Sequence, residues 1–233
     1  MPQALRQYDL FEDEDRLQSR DQVLARYRQL REVGKRHHEG VLKFVSTDSI
    51  LRHARRLGLA EGKRLILDDI EEMNFVFDLA IYSASAGRTR AIDRYAKSAH
   101  CLAGSDEALM LEAMCTAQFS VLLVDRHHDA AGLVVTDLAN GATKWLVDMG
   151  LESSLPDGTL MAARLYTPER FCMTAGVVVP FDLDMVEELP RRMADGTFRT
   201  VIDDWRFAES LYRIALDGEM THRMVYQDLP DDA

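Results

Sequence analysis

The chain has 233 residues, 28 basic and 39 acidic side chains, and a formal net charge of −11. That length supports one large domain or two small ones with a real hydrophobic core, and a composition of 47% apolar and 29% charged residues excludes intrinsic disorder, collagen-like repeats and a disulfide scaffold. An acidic body also repels phosphate, which argues against a chain whose whole surface binds nucleic acid.

No run approaches the roughly 18–20 apolar residues that span a bilayer, so no membrane segment is expected. The first residues, MPQALRQYDLFEDEDR, lack the apolar stretch of a secretory signal. Cys101, Cys115 and Cys172 are far apart and odd in number, with no CxxC pair. This spacing suits a reducing cytoplasm, with each cysteine a buried small hydrophobe.

Residues 1–15 read as a loose acidic arm. Ser19 suits the N-cap of a helix whose Val23, Leu24, Tyr27, Leu30 and Val33 form one apolar face. Gly34 is expected to end or kink it, with a second helical stretch through Val41, Leu42 and Phe44. Thr47 or Asp48 is expected to cap a short helix that stops at Leu57-Gly58-Leu59. The acids Asp68, Asp69, Glu71 and Glu72 favour a helix start and predict a helix from about Asp68 to Ser83. Helices are also expected over Arg88–Ala99 and after Ser105.

At Phe119 the period becomes strand-like. Ser120–Val124, Leu133–Leu138, Thr143–Val147, Leu160–Leu165 and Phe171–Val179 are short apolar runs bounded by turn residues. Asn140-Gly141 fits a type I′ hairpin turn, whose central positions need positive φ. With no helix long enough for a parallel crossover, the strands imply an antiparallel sheet, which five strands can curl into a small barrel. Past Pro180 the helical period returns, with a turn at Asp195-Gly196, Asp203-Asp204 before a helix bearing Ala208, Leu211, Tyr212 and Ala215, and a frayed acidic tail over 227–233.

The strongest electrostatic feature is an asymmetry: residues 20–64 hold twelve Lys/Arg against five acids, a net +7, which leaves −18 for the rest. Such a stretch either complements the acidic body, in the same chain or across a dimer, or contacts phosphate through Arg31, Arg52, Arg55 and Arg56. Trp145, with Tyr166 and Phe171, forms either a binding face or core packing. His37-His38 point about 100° apart on a helix and so make a poor chelating pair. His127-His128 suit an exposed hairpin tip. Ser85 lacks the flanking glycine and preceding strand of a nucleophile turn, and no phosphate-loop, dinucleotide, zinc-protease or catalytic-cysteine motif occurs.

Residues 119–182, through the VTDL strand, the NG hairpin, the WLVD strand, the PDGTLMAARL strand and the MTAG strand before a proline, resemble the small β-barrel of an uncharacterised group of bacterial proteins. They are also similar to the barrel that accompanies a zinc-binding SEC-C tail in some bacterial proteins. This chain lacks that cysteine-rich tail, so its zinc does not carry over. Residues 19–117 resemble the same uncharacterised group, and the resemblance implies an architecture and no catalytic residue.

The sequence therefore predicts an α+β protein: a helical region over 1–117, a five-stranded antiparallel barrel-like sheet over 118–182, and C-terminal helices over 183–233 packing back. The expected function is that of a non-enzymatic cytoplasmic binding or adaptor protein with no catalytic residue, metal or cofactor. Its expected partner is a protein, a second copy of the chain included. The candidate binding residues are Arg31, Arg52, Arg55, Arg56, Trp145 and Tyr166. Two alternatives stand beside it: a nucleic-acid or nucleotide binder through residues 20–64, and a metal-dependent hydrolase using His37, His38 or the acids of 68–72.

Overall fold

A computed structural model of the chain describes residues 19–84, 87–181 and 206–217. The acidic arm, Ser85, the stretch with Asp195-Gly196 and Asp203-Asp204, and the acidic tail lie outside the described residues.

The first helix, α1 (Arg20–Leu42), begins at Ser19 with a full capping box, in which the Ser19 hydroxyl accepts from the Gln22 amide and the Gln22 side chain accepts from the Ser19 amide. It runs unbroken through Gly34, contrary to the expected end or kink there. Gly34 is buried with Met110 and the Tyr166 hydroxyl against it, and this packing outweighs the weak helix propensity of glycine. The next helix, α2 (Thr47–Leu57), is capped by Ser46, one residue earlier than expected, and ends at Gly58 with φ 81°. There the Leu59 amide donates back to the Ala54 carbonyl at 2.7 Å, and Leu59 itself is buried, as the Leu-Gly-Leu pattern predicts.

A two-residue hairpin, β1 (Ala60–Glu61) and β2 (Arg64–Leu65), then leads to α3 (Ile70–Tyr82), capped by Asp69. Two shorter helices follow, α4 (Ala91–Ser98) and α5 (Asp106–Cys115), the latter capped by Ser105. The sheet comprises β3 (Gln118–His127), β4 (Leu133–Asp137), β5 (Ala142–Leu146), β6 (Leu160–Tyr166) and β7 (Met173–Pro180). A short helix, α6 (Met149–Ser154), sits between β5 and β6, and α7 (Phe207–Asp217) closes the described chain.

Every strand pair in the large sheet is antiparallel, in the order β5-β4-β3-β6-β7. The sheet is open and does not close into the expected barrel. Its edge strands approach only where Leu146 bridges Cys172 in a parallel sense. Past that point β5 gives way to α6, while β7 begins at Met173 and leads away. The Asn140-Gly141 hairpin also differs from a two-residue turn. Its loop is the four residues Leu138–Gly141, because the Asp137 carboxylate takes the Ala139 amide at 3.0 Å and the Leu138 amide pairs with the Val121 carbonyl of β3. The helix α6 is not predicted by the apolar period of the sequence. Asp148 starts it by accepting from the Gly150 and Leu151 amides.

Both faces of the sheet are buried. On β6, Met161, Ala163 and Leu165 point into the curled interior with Leu122, Val135 and Leu151. The alternate residues Ala162, Arg164 and Tyr166 face the helices, as a period of two requires. Ala162 packs with Phe75, Val76 and Tyr212 of α3 and α7, and Tyr166 with Leu30 and Met110 of α1 and α5. Arg164 thus enters an otherwise apolar layer. Cys172 is buried as expected, whereas Cys101 and Cys115 are half-buried at the edge of the core.

Candidate functional site

The residues singled out in the sequence fall into three places. Arg31 and Tyr166 meet: Arg31 Nη1 donates to the Thr174 carbonyl at 2.7 Å and to the Tyr166 hydroxyl at 3.4 Å, tying α1 to β6 and β7. Trp145 is buried, with its Nε1–H donating to the Ala131 carbonyl at 2.7 Å. Its ring stacks on His128 at 4.2 Å and meets Phe171 edge-on. The remaining cations sit on α2. Arg52 donates to the Ser49 hydroxyl, Arg55 to the Gly62 carbonyl of the β1–β2 turn, and Arg56 to Glu209 of α7 at 3.2 Å.

Much of the basic stretch is matched by carboxylates from elsewhere in the chain. Arg20 pairs with Glu152 at 2.5 Å and Arg36 with Glu107 at 3.1 Å. Arg26 holds Asp106 through two bonds of 2.8 Å and also binds Glu169. These contacts hold the Asp106 carboxyl below its ordinary pKa. Arg26 also stands in an open depression of about 690 Å³ that it lines with Gln22, Glu169, Arg170 and Phe171.

The histidines are dispersed. His37 accepts from the Tyr95 hydroxyl through Nδ1 at 2.9 Å and donates from Nε2 to the Glu107 carbonyl at 2.8 Å. His38 Nε2 lies 2.8 Å from the Tyr82 hydroxyl. His127 donates to the Glu152 carbonyl at 3.0 Å. Among the described residues no three His, Cys, Asp or Glu side chains come together as metal ligands. The acids of 68–72 act as a helix start: Asp69 accepts from the Glu72 amide at 2.9 Å, and the Glu72 side chain accepts from the Asp68 amide at 2.6 Å.

Two features were missed in the sequence. The first is buried. Arg164 and Asp78 form a two-bonded ion pair, and the Tyr212 hydroxyl donates to Asp78 at 2.8 Å. The Arg164 guanidinium also lies 4.8 Å over the Tyr82 ring. A signal existed: Asp78 is a lone acid in NFVFDLAIY and Arg164 a lone base in LMAARLY. The second is on the surface. Leu65, Ile66, Ile70 and Met73 are 37%, 49%, 67% and 39% exposed. Leu65 lies in β2, Ile66 in the connection that follows, and Ile70 and Met73 in the first turn of α3. Exposed Lys63 and Arg64 lie in the hairpin, exposed Asp68 in the connection and half-exposed Glu71 in the first turn of α3. A run of large apolar side chains in water, rimmed by charge, is the composition of a docking surface.

Among the described residues no helix is long and apolar enough to cross a membrane. The fold is that of an α+β protein: an open, five-stranded antiparallel sheet with α3 and α7 packed on one face and Leu151 of α6 in the core of the other. The chain belongs to a family of unknown function (DUF7986), whose model matches residues 21–204. No curated protein and no solved structure matches it.

Proposed function

We propose that the chain is a non-enzymatic binding protein that docks a protein surface through the apolar run of β2 and α3, and that a second copy of the chain is its partner. The observation that carries this reading is the exposure of Leu65, Ile66, Ile70 and Met73, in a molecule that buries Trp145 and Tyr166, the aromatics first in line for a binding face. The rim supports self-association. A twofold axis through the run sets the Lys63 and Arg64 of one copy against the Asp68 and Glu71 of the other, so one patch complements itself. The cytoplasmic and bacterial setting of this reading rests on the separated cysteines and on the resemblance carried by residues 119–182.

Sedimentation equilibrium of the full chain tests it. Wild type is expected to dimerise at micromolar concentration, and the double variant Ile66→Glu/Ile70→Glu to sediment as a monomer with an unchanged melting temperature. A wild-type chain that stays monomeric overturns the docking surface. Turnover in a broad hydrolase and phosphatase screen overturns the non-enzymatic half.

A further inference from the structure

We propose that Arg31 and the β7 bulge at Gly176 form a binding site for a small oxyanion group, the carboxylate or phosphate of a ligand. Arg20, Arg26, Arg36, Arg56, Arg90 and Arg164 each reach a carboxylate at 2.5–3.2 Å. Half-buried Arg31 pairs with none among the described residues. Both of its bonds leave from Nη1, and both acceptors, the Thr174 carbonyl and the Tyr166 hydroxyl, are neutral. The carboxylate that acts on it from farther off, Asp148, is engaged elsewhere. Its Oδ1 takes the Gly150 and Leu151 amides, and its Oδ2 takes the Thr174 hydroxyl at 2.8 Å.

The edge left over is the one formed by Nε and Nη2. That edge receives the two oxygens of a carboxylate or phosphate side by side. It is not sealed. Among the described residues the one buried side-chain polar atom without a partner is His53 Nδ1, so Nε and Nη2 of Arg31 are not fully enclosed although most of the side chain is buried.

The backbone opposite makes room. Between β6 and β7 the register passes from Ala163↔Val178 to Leu165↔Thr174, so three residues of β7 oppose Arg164 alone. Gly176 sits in this bulge at φ 106°. A Cβ there would stand 3.7 Å from Arg31 Nη2 and, apart from residues 175–177 themselves, would meet no other atom within 4 Å. Room for a side chain at residue 176 therefore lies beside Nη2, and glycine leaves it unfilled.

Titration of the full chain with inorganic phosphate and, separately, with acetate tests the site, with chloride at matched ionic strength as the control. The Arg31 Nε–H resonance is expected to shift and saturate with at least one of the two, which also tells phosphate from carboxylate. The melting temperature is expected to rise by roughly 5 °C at saturation. Because phosphate stabilises any fold by exclusion from its surface, the rise is read against Arg31→Gln, which should lose it, and Arg26→Ala, which should keep it. Gly176→Ala should weaken the saturating shift at least tenfold in Kd while leaving Arg31 bonded to Thr174. An Arg31 resonance indifferent to both anions, or an equal rise in Arg31→Gln, overturns the proposal.

Discussion

Arg164 of β6 grips Asp78 of α3 with two hydrogen bonds, Nε to Oδ1 at 2.8 Å and Nη2 to Oδ2 at 2.9 Å, and both residues are only 5% exposed. The Tyr212 hydroxyl of α7 donates to the same carboxylate, so α3, β6 and α7 are joined at Asp78. Two charges taken out of water are costly, and only this geometry offsets the loss. Removing one partner strands the other. Asp78→Ala is expected to cost about 3–5 kcal/mol, and Tyr212→Phe, which leaves the ion pair intact, about 1–2 kcal/mol. The double variant Asp78→Leu/Arg164→Met should cost much less than the sum of its two single changes, because neither charge is left alone. Urea denaturation of the set checks this. Additive losses would contradict a coupled pair.

His38 makes stability depend on pH with a definite sign. Burial pushes its pKa down to about 4, with Arg31 adding to the shift and Asp78 opposing it. Unfolded histidine titrates near 6.5. The folded state resists the proton, so the contribution is complete above about pH 6.5 and is lost as pH falls toward 4. The full span corresponds to at most about 3 kcal/mol, and the residue's partial exposure reduces it. Burial also lowers the pKa of His37 and of His53, so all three act on the same acid limb. Denaturant midpoints measured across this window in wild type and His38→Asn should converge as the solution becomes acidic. A constant gap between them would assign the acid limb to other groups.

The alternation of coil and zigzag was legible because it is a local property. Val23, Leu24, Tyr27 and Leu30 are all buried on α1, and the caps at Ser19, Ser105 and Gly58 lie where side-chain chemistry requires them. Closure of the sheet was not legible. It depends on how far β5 and β7 run beyond Leu146 and Cys172, and α6 intervenes there on the strength of an Asp148 cap whose following Gly150 disguises a helix. Of the candidate binding residues, sequence pairing rules joined Arg31 to Arg52, Arg55 and Arg56 by charge alone. The fold instead turns Arg31 inward to Tyr166 and leaves the other three on α2 with Ser49, Gly62 and Glu209 as partners. A net charge says nothing about which face of a helix each cation occupies. The exposure of Ile66 and Ile70 was hidden for the converse reason, since apolar residues are read as core by default.

Gly132 occupies a position that no other residue fits. It turns the chain between β3 and β4 at φ 80°, and a Cβ there would press on the Leu146 carbonyl oxygen and come 3.0 Å from Val147 Cα. Both obstacles are backbone, in the segment where β5 leaves the sheet. Gly141, in the neighbouring hairpin, has φ 70° with open space around it. Gly141→Ala should therefore cost only the left-handed backbone term, about 1 kcal/mol, whereas Gly132→Ala adds a steric clash and should cost at least about 2–3 kcal/mol. Thermal melts of the two variants separate them, and equal losses would mean that the Leu146 segment yields to the added methyl.

Arg26 decides between the two uses of the basic stretch. Its guanidinium spans Asp106 at the start of α5 and Glu169 in the β6–β7 loop, and together the two carboxylates engage all three of its nitrogens. A phosphate backbone would have to displace both, and it would approach a chain of net charge −11. Gel shifts with duplex DNA and with single-stranded RNA are accordingly expected to show no complex even at low salt, where counterion release favours binding most. Arg26→Ala should instead reduce stability by about 1 kcal/mol, a modest sum because all three side chains keep substantial contact with water. That loss should shrink in high salt, which screens the pairs in the wild type and leaves the variant nothing to lose. A salt-sensitive complex with nucleic acid that Arg26→Ala weakens would instead mean that the carboxylates release the guanidinium on contact, and would restore the basic stretch as a phosphate-binding face.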